Sequence, residues 1–156
     1  MRAKCVLLTL LLAAMMSLGG CGEKTVQETL SKKLNLNLTV GEIVAQSDSH
    51  EGFHGDGFAL VVLRFSDDRV GKELGWNEDW LELPMPEALD ELMDRIPEAY
   101  RPEQDVHSGY YFFEDRYSQT YDRSDPKAAL RRGNVNFTAA VYDSETRTLY
   151  YCEADS

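Results

Sequence analysis

Apolar residues fall every third or fourth position just after residue 24, where Val26, Leu30 and Leu34 share one face. That spacing predicts a short amphipathic helix. Thr25-Val26-Gln27-Glu28 opens it as a capping box, the Thr25 hydroxyl and the Glu28 carboxylate each accepting from the other's backbone N–H. Beyond Leu34 the period changes. Leu34, Leu36, Leu38 and Val40 alternate with polar residues, which reads as extended chain. Gly41 to Asp48 reads as a first strand. Gly57 to Phe65 contains the run Phe58-Ala59-Leu60-Val61-Val62-Leu63, apolar on both faces, which belongs inside a sheet.

Further along, Pro86 opens a helix whose Leu89, Leu92, Met93 and Ile96 share a face, and Pro97 ends it. Trp76 and Trp80 stand one helical turn apart and are expected in the core. Gly109 to Tyr117 is an aromatic strand, and Asp125-Pro126 starts a helical turn that runs through Leu130. The tail reads as a hairpin: Val135, Phe137, Ala139 and Val141 alternate, Asp143 to Thr146 turns, and Thr148 to Glu153 returns. Strands outnumber helices and neighbouring strands can pair antiparallel. The expectation is an α+β fold, an antiparallel sheet of about five strands with helices packed on one face.

The chain before this domain has a different character. Arg2 and Lys4 precede an uncharged run from Cys5 to Gly20, rich in Leu, Ala and Met. As a helix that run would span only about 24 Å, short of the ~30 Å hydrocarbon core. It therefore reads as a cleavable signal. Leu18-Gly19-Gly20-Cys21 resembles the lipobox of bacterial lipoproteins: an aliphatic residue, two small ones, then cysteine. The resemblance implies diacylglycerol on the Cys21 sulfur, cleavage after Gly20, and an N-acyl chain such as palmitate on the new amino terminus. Two or three acyl chains hold a protein firmly where one does not. The expected organisation is a signal peptide over 1–20, a lipidated cysteine and short linker over 21–24, and one globular domain over 25–156. Its place would be the extracytoplasmic face of the cell membrane, anchored by lipid.

Charge and cysteine usage narrow the functions. The precursor has 27 acidic and 16 basic residues; without Arg2 and Lys4 the count is 27 against 14, a formal net charge of −13. Such a surface repels nucleic acid, which excludes it as a partner. Of the three cysteines, Cys5 leaves with the signal and Cys21 takes lipid, so Cys152 has no partner for an internal disulfide. Its place in Tyr150-Tyr151-Cys152-Glu153 fits a buried small hydrophobe rather than a nucleophile.

A wider resemblance rests on scattered segments: Gly52-Phe53-His54-Gly55-Asp56-Gly57, Trp80 with Leu83-Pro84, Gly109-Tyr110-Tyr111-Phe112-Phe113, and Asn136-Phe137-Thr138 with Val141-Tyr142-Asp143. Together they look similar to small lipoproteins of unknown function from Clostridia-like Gram-positive bacteria. The resemblance implies a host and a location. It carries no activity over.

Two groups of residues are candidates for binding chemistry. His50, His54 and Asp56 lie close together on the glycine-punctuated loop from Ser49 to Gly57. Neutral imidazoles and a carboxylate suit zinc or another divalent metal, though Gly-Asp and Asp-Gly pairs are also plain turn formers. The loop is longer than a hairpin needs, and with Phe53 it offers a place for a ligand. The second group is aromatic. Tyr111 and Phe113 face away from Tyr110 and Phe112, so one row lies off the core unless helices cover both faces. An uncovered row would serve a protein, peptide or glycan partner. No Gly-x-Ser-x-Gly, His-Glu-x-x-His or phosphate-cradling glycine loop occurs. The residues thus point to a non-catalytic binding module on a lipid anchor. The alternative is a metal-dependent enzyme using the His50–Asp56 loop.

Overall fold

A computed structural model describes residues 24–50, 55–102, 106–117 and 122–156. Helix α1 spans Val26–Leu34, and its capping box is formed: the Glu28 N–H donates to Thr25 Oγ1 at 3.2 Å and the Thr25 N–H to Glu28 Oε2 at 2.9 Å. Asn35 ends it in the left-handed conformation at φ 50°, with its N–H on the Ser31 carbonyl. The alternating Leu36 and Leu38 that follow are buried in irregular chain, and Val40 is exposed in the turn before β1.

Among the described residues six strands form one sheet: β1 (Glu42–Asp48), β2 (Gly57–Arg64), β3 (Leu81–Glu82), β4 (Gly109–Asp115), β5 (Asn136–Asp143) and β6 (Thr148–Asp155). Their order is β1-β2-β6-β5-β4-β3, and every neighbouring pair is antiparallel. The mixed α+β class and the antiparallel sheet are as expected. The sixth strand is the two-residue β3, too short to leave a period-two signature. The apolar run of β2 lies inside the sheet, and the tail hairpin pairs in register from Asn136 with Asp155 to Asp143 with Thr148.

The expected single helical layer is wrong. Helices cover both faces. On one, α1 and α2 (Arg69–Leu74) place Leu30, Leu34, Val70 and Leu74 on Val61, Leu63, Ala140, Tyr142, Leu149 and Tyr151. On the other, α3 (Glu87–Met93) and α4 (Pro126–Leu130) place Leu89, Leu92, Met93 and Ala129 on Phe137, Ala139, Val141, Cys152 and Ala154. The physical reason is visible in the strands. β5 and β6 are apolar at odd and even positions alike, so either face left to water would expose several large side chains. Beyond β2 neither layer reaches, and every residue of β1 is exposed.

Candidate functional site

Several predicted site residues turn inward. Tyr111 and Phe113 are buried under α3 and α4, with Phe113 against the Phe137 ring at 5.6 Å between centroids. They are core, not the exposed row that a one-sided helical layer would have left. Tyr110 and Phe112 pack on the other face, Phe112 against Trp80 at 5.6 Å. Cys152 sits fully buried mid-sheet and free of any disulfide, and burial pushes its thiol up to about 12. At neutral pH it holds its proton and is a poor nucleophile. Glu114 and Asp115 face opposite ways along β4, to Arg123 at 3.0 Å and Arg132 at 2.6 Å respectively.

The histidine loop begins as a continuation of the ladder. Ser49 donates its N–H to the Phe58 carbonyl at 2.9 Å, and its hydroxyl accepts the Phe58 N–H at 2.9 Å. Gly57 closes the loop against His50; a side chain there would put its Cβ 2.6 Å from the His50 Cα. His50 Nδ1 lies 2.6 Å from Asp48 Oδ1 and Nε2 lies 3.0 Å from Asp155 Oδ2. Asp155 also takes Arg116 at 2.8 Å. Arg116 stands 3.7 Å from Glu153, which pairs with Lys33 of α1 at 2.6 Å. His50 is therefore the end of an ion chain that ties α1, β6 and β1 together. Asp56 is exposed, and Phe53 and His54 lie outside the described residues, as do the signal segment and Cys21. Among the described residues no three His, Cys, Asp or Glu converge in a metal-binding arrangement.

This geometry has a pH consequence. Burial pushes the His50 pKa down, but the hydrogen bonds to Asp48 and Asp155 outweigh it, and the net direction is upward from 6.5. A group whose pKa is raised on folding stabilises the fold fully below its unfolded value, and that contribution fades as pH climbs through the folded value. Wild type should therefore exceed His50→Gln in stability most below about pH 6.5, with the gap narrowing as pH rises. Urea melts of both chains from pH 5 to 9 read this out. A gap that widens with pH contradicts the assignment.

Away from this chain, α2 and the turn after it build an exposed aromatic site. Val70 and Leu74 bury one side of α2. Gly75 follows the helix and Trp76 leaves it on the outer side, 90% exposed, while Trp80 is buried at 4%. The turn is held firmly. The Trp76 N–H donates to the Glu73 carbonyl and Asn77 N–H to Leu74, both at 3.1 Å. Asn77 Nδ2 reaches the Asn35 carbonyl at 3.3 Å, and Asn77 Oδ1 accepts from the Asp79 N–H at 3.0 Å.

Two hollows share Trp76 as a wall. One, of about 480 Å³, is lined by Gly71, Lys72, Gly75, Tyr110, Tyr142 and Ser144, with Asp68 at its margin. The other, of about 530 Å³, is lined by Asn35, Glu73, Asn77, Glu78 and Asp79. A third hollow, of about 260 Å³, shares Tyr110 and Ser144 with the first and carries the surface on to Glu82 and His107. Gly75 matters here, because a Cβ would sit 3.2 Å from the Tyr110 hydroxyl. The sequence reading missed this site by grouping Trp76 with Trp80. The signal was present: Trp76 lies in Gly75-Trp76-Asn77-Glu78-Asp79, a polar turn past the last apolar residue of α2. No family model, curated protein or solved structure matches the chain.

Proposed function

We propose that the chain is a lipid-anchored, extracytoplasmic binding module that uses the Trp76 face to hold a partner and catalyses no reaction. The observation that carries the reading is Trp76 itself, 90% exposed on a turn fixed by backbone and side-chain hydrogen bonds. A tryptophan left in water forgoes about 1.5–3 kcal/mol or more of burial, and rigid exposed aromatics are the residues that dominate binding energy at interfaces. The hollows on either side give a partner somewhere to seat. Lipid on Cys21 would hold that face outside the membrane, with only a few residues between the anchor and Val26. The engagement of His50 by Asp48 and Asp155 supports a scaffold role for the described part of the histidine loop.

The test is capture from envelope extracts with the full chain, in wild type, Trp76→Ala and His50→Ala forms. The expected result is a partner retained by wild type and His50→Ala and lost with Trp76→Ala. Loss with His50→Ala but not Trp76→Ala would move the site to the histidine loop and revive metal chemistry there.

A further inference from the structure

We infer that the Trp76 face takes a cationic protein segment, an extended stretch carrying lysine or arginine side chains; this rests on the binding reading above. The hollows that meet at Trp76, with the third that continues past Tyr110, are rimmed by Asp68, Glu73, Glu78, Asp79 and Glu82 against Lys72 and His107. Lys72 is already engaged, 3.0 Å from Asp68. Among the described residues no basic side chain pairs with Glu73, Glu78, Asp79 or Glu82. Some carboxylates elsewhere are matched, as Glu153 is by Lys33, Asp94 by Arg101 and Glu114 by Arg123, and others such as Glu87, Glu91 and Glu98 are in no ion pair among the described residues; what sets this rim apart is the exposed Trp76 ring it surrounds.

An unmatched acidic rim around an exposed indole suits one ligand chemistry. A guanidinium or ammonium over the Trp76 ring is attracted by the ring's quadrupole, and tryptophan is the strongest such acceptor. The carboxylates add Coulomb attraction and steer the approach of a positive partner. Three hollows in a row, joined at Trp76 and at Tyr110 with Ser144, fit an extended segment better than a single small ion. A neutral glycan also stacks on tryptophan, but it gains no Coulomb attraction from the net negative charge of the rim, whereas a cation does. An anionic lipid surface is opposed by the same rim.

The full chain in non-ionic detergent would be titrated with a hexapeptide of alternating arginine and glycine, with its citrulline counterpart, and with a neutral N-acetylglucosamine oligomer. Tryptophan fluorescence and calorimetry read the binding. The inference expects the arginine peptide to bind, the citrulline peptide and the glycan not to, and affinity to fall as salt rises. Trp76→Ala, which leaves net charge unchanged, should weaken binding at least tenfold, and so should Glu78→Gln with Asp79→Asn. Glu42→Gln, a carboxylate on β1, should have no such effect and controls for attraction to an acidic surface in general. Equal binding to wild type and Trp76→Ala overturns the inference, as does preference for the glycan. If no probe binds while envelope capture still depends on Trp76, the cationic assignment fails and the binding reading stands. If that dependence is also absent, both fail.

Discussion

Gly109→Ala should destabilise the fold by on the order of 3 kcal/mol or more, lowering the melting temperature by about 6–12 °C. Gly109 opens β4 at φ +140°, a conformation that L side chains rarely adopt. An added Cβ would lie 1.9 Å from the Tyr142 carbonyl oxygen, well inside contact distance. The obstacle is backbone, so no rotamer change relieves it. The position is also a junction. Gly109 pairs with Asp143 at the end of the β5–β6 hairpin, and its carbonyl accepts the Leu83 N–H at 3.0 Å just past β3. Moving it disturbs three strands and the floor of the hollow beside Tyr110. Gly133→Ala is the matched control: its Cβ would meet nothing within 4 Å, and the change should stay within about 0.5 kcal/mol. Similar melting of the two variants would contradict this backbone path.

The other large effect is expected at Cys21, the proposed site of lipid attachment. Cys21→Ala should incorporate no fatty-acid label, against full labelling of wild type, and the exported domain should be recovered with soluble proteins. The sulfur is the only atom at that position able to form the thioether, so loss is expected to be complete rather than graded. With about 0.8 kcal/mol contributed by each buried methylene, removing two or three acyl chains removes the whole of the membrane affinity they supply. An acidic domain has no electrostatic attraction to anionic headgroups to replace it. Undiminished labelling of Cys21→Ala would show that lipid is attached elsewhere, and an unlabelled wild type would show that none is attached.

Much of the fold was legible in the sequence because period and chemistry agree within each element. Thr25 and Glu28 announce α1, Pro86 announces α3, Asp125-Pro126 announces α4, and the alternation around Asp143–Thr146 gives the last hairpin its register. What escaped was set by tertiary context. α2 is six residues long with only Val70 and Leu74 buried, too few for a periodic signal to stand out. Strand β3 exists because Tyr110 and Tyr111 offer it an edge, which nothing local to Leu81-Glu82 records. The two-sided helical cover is implied by β5 and β6, which carry apolar residues on both faces.

The candidate site shows the same division. Residue type singled out His50, Tyr111 and Phe113, since imidazoles and tyrosines carry chemistry wherever they occur. Only the folded arrangement reveals that His50 is bracketed by Asp48 and Asp155, and that Tyr111 and Phe113 lie under α3 and α4. Trp76 was given to the core because burial is the usual fate of a large apolar ring. Its exposure follows from where α2 ends and the turn held by the Trp76 and Asn77 N–H groups begins, a fact of geometry that composition does not carry.

If Trp76 is a recognition residue, its ring should be occupied where the protein works. Hydroxyl-radical footprinting, read by mass spectrometry, measures this on the full chain in its native membranes and on the same chain purified in detergent. Trp80, buried at 4%, serves as the internal reference in both. The account predicts strong oxidation of Trp76 in the purified chain and marked protection in the membranes, with Trp80 low throughout. Equal oxidation of Trp76 in the two settings would contradict the claim that this face holds a partner.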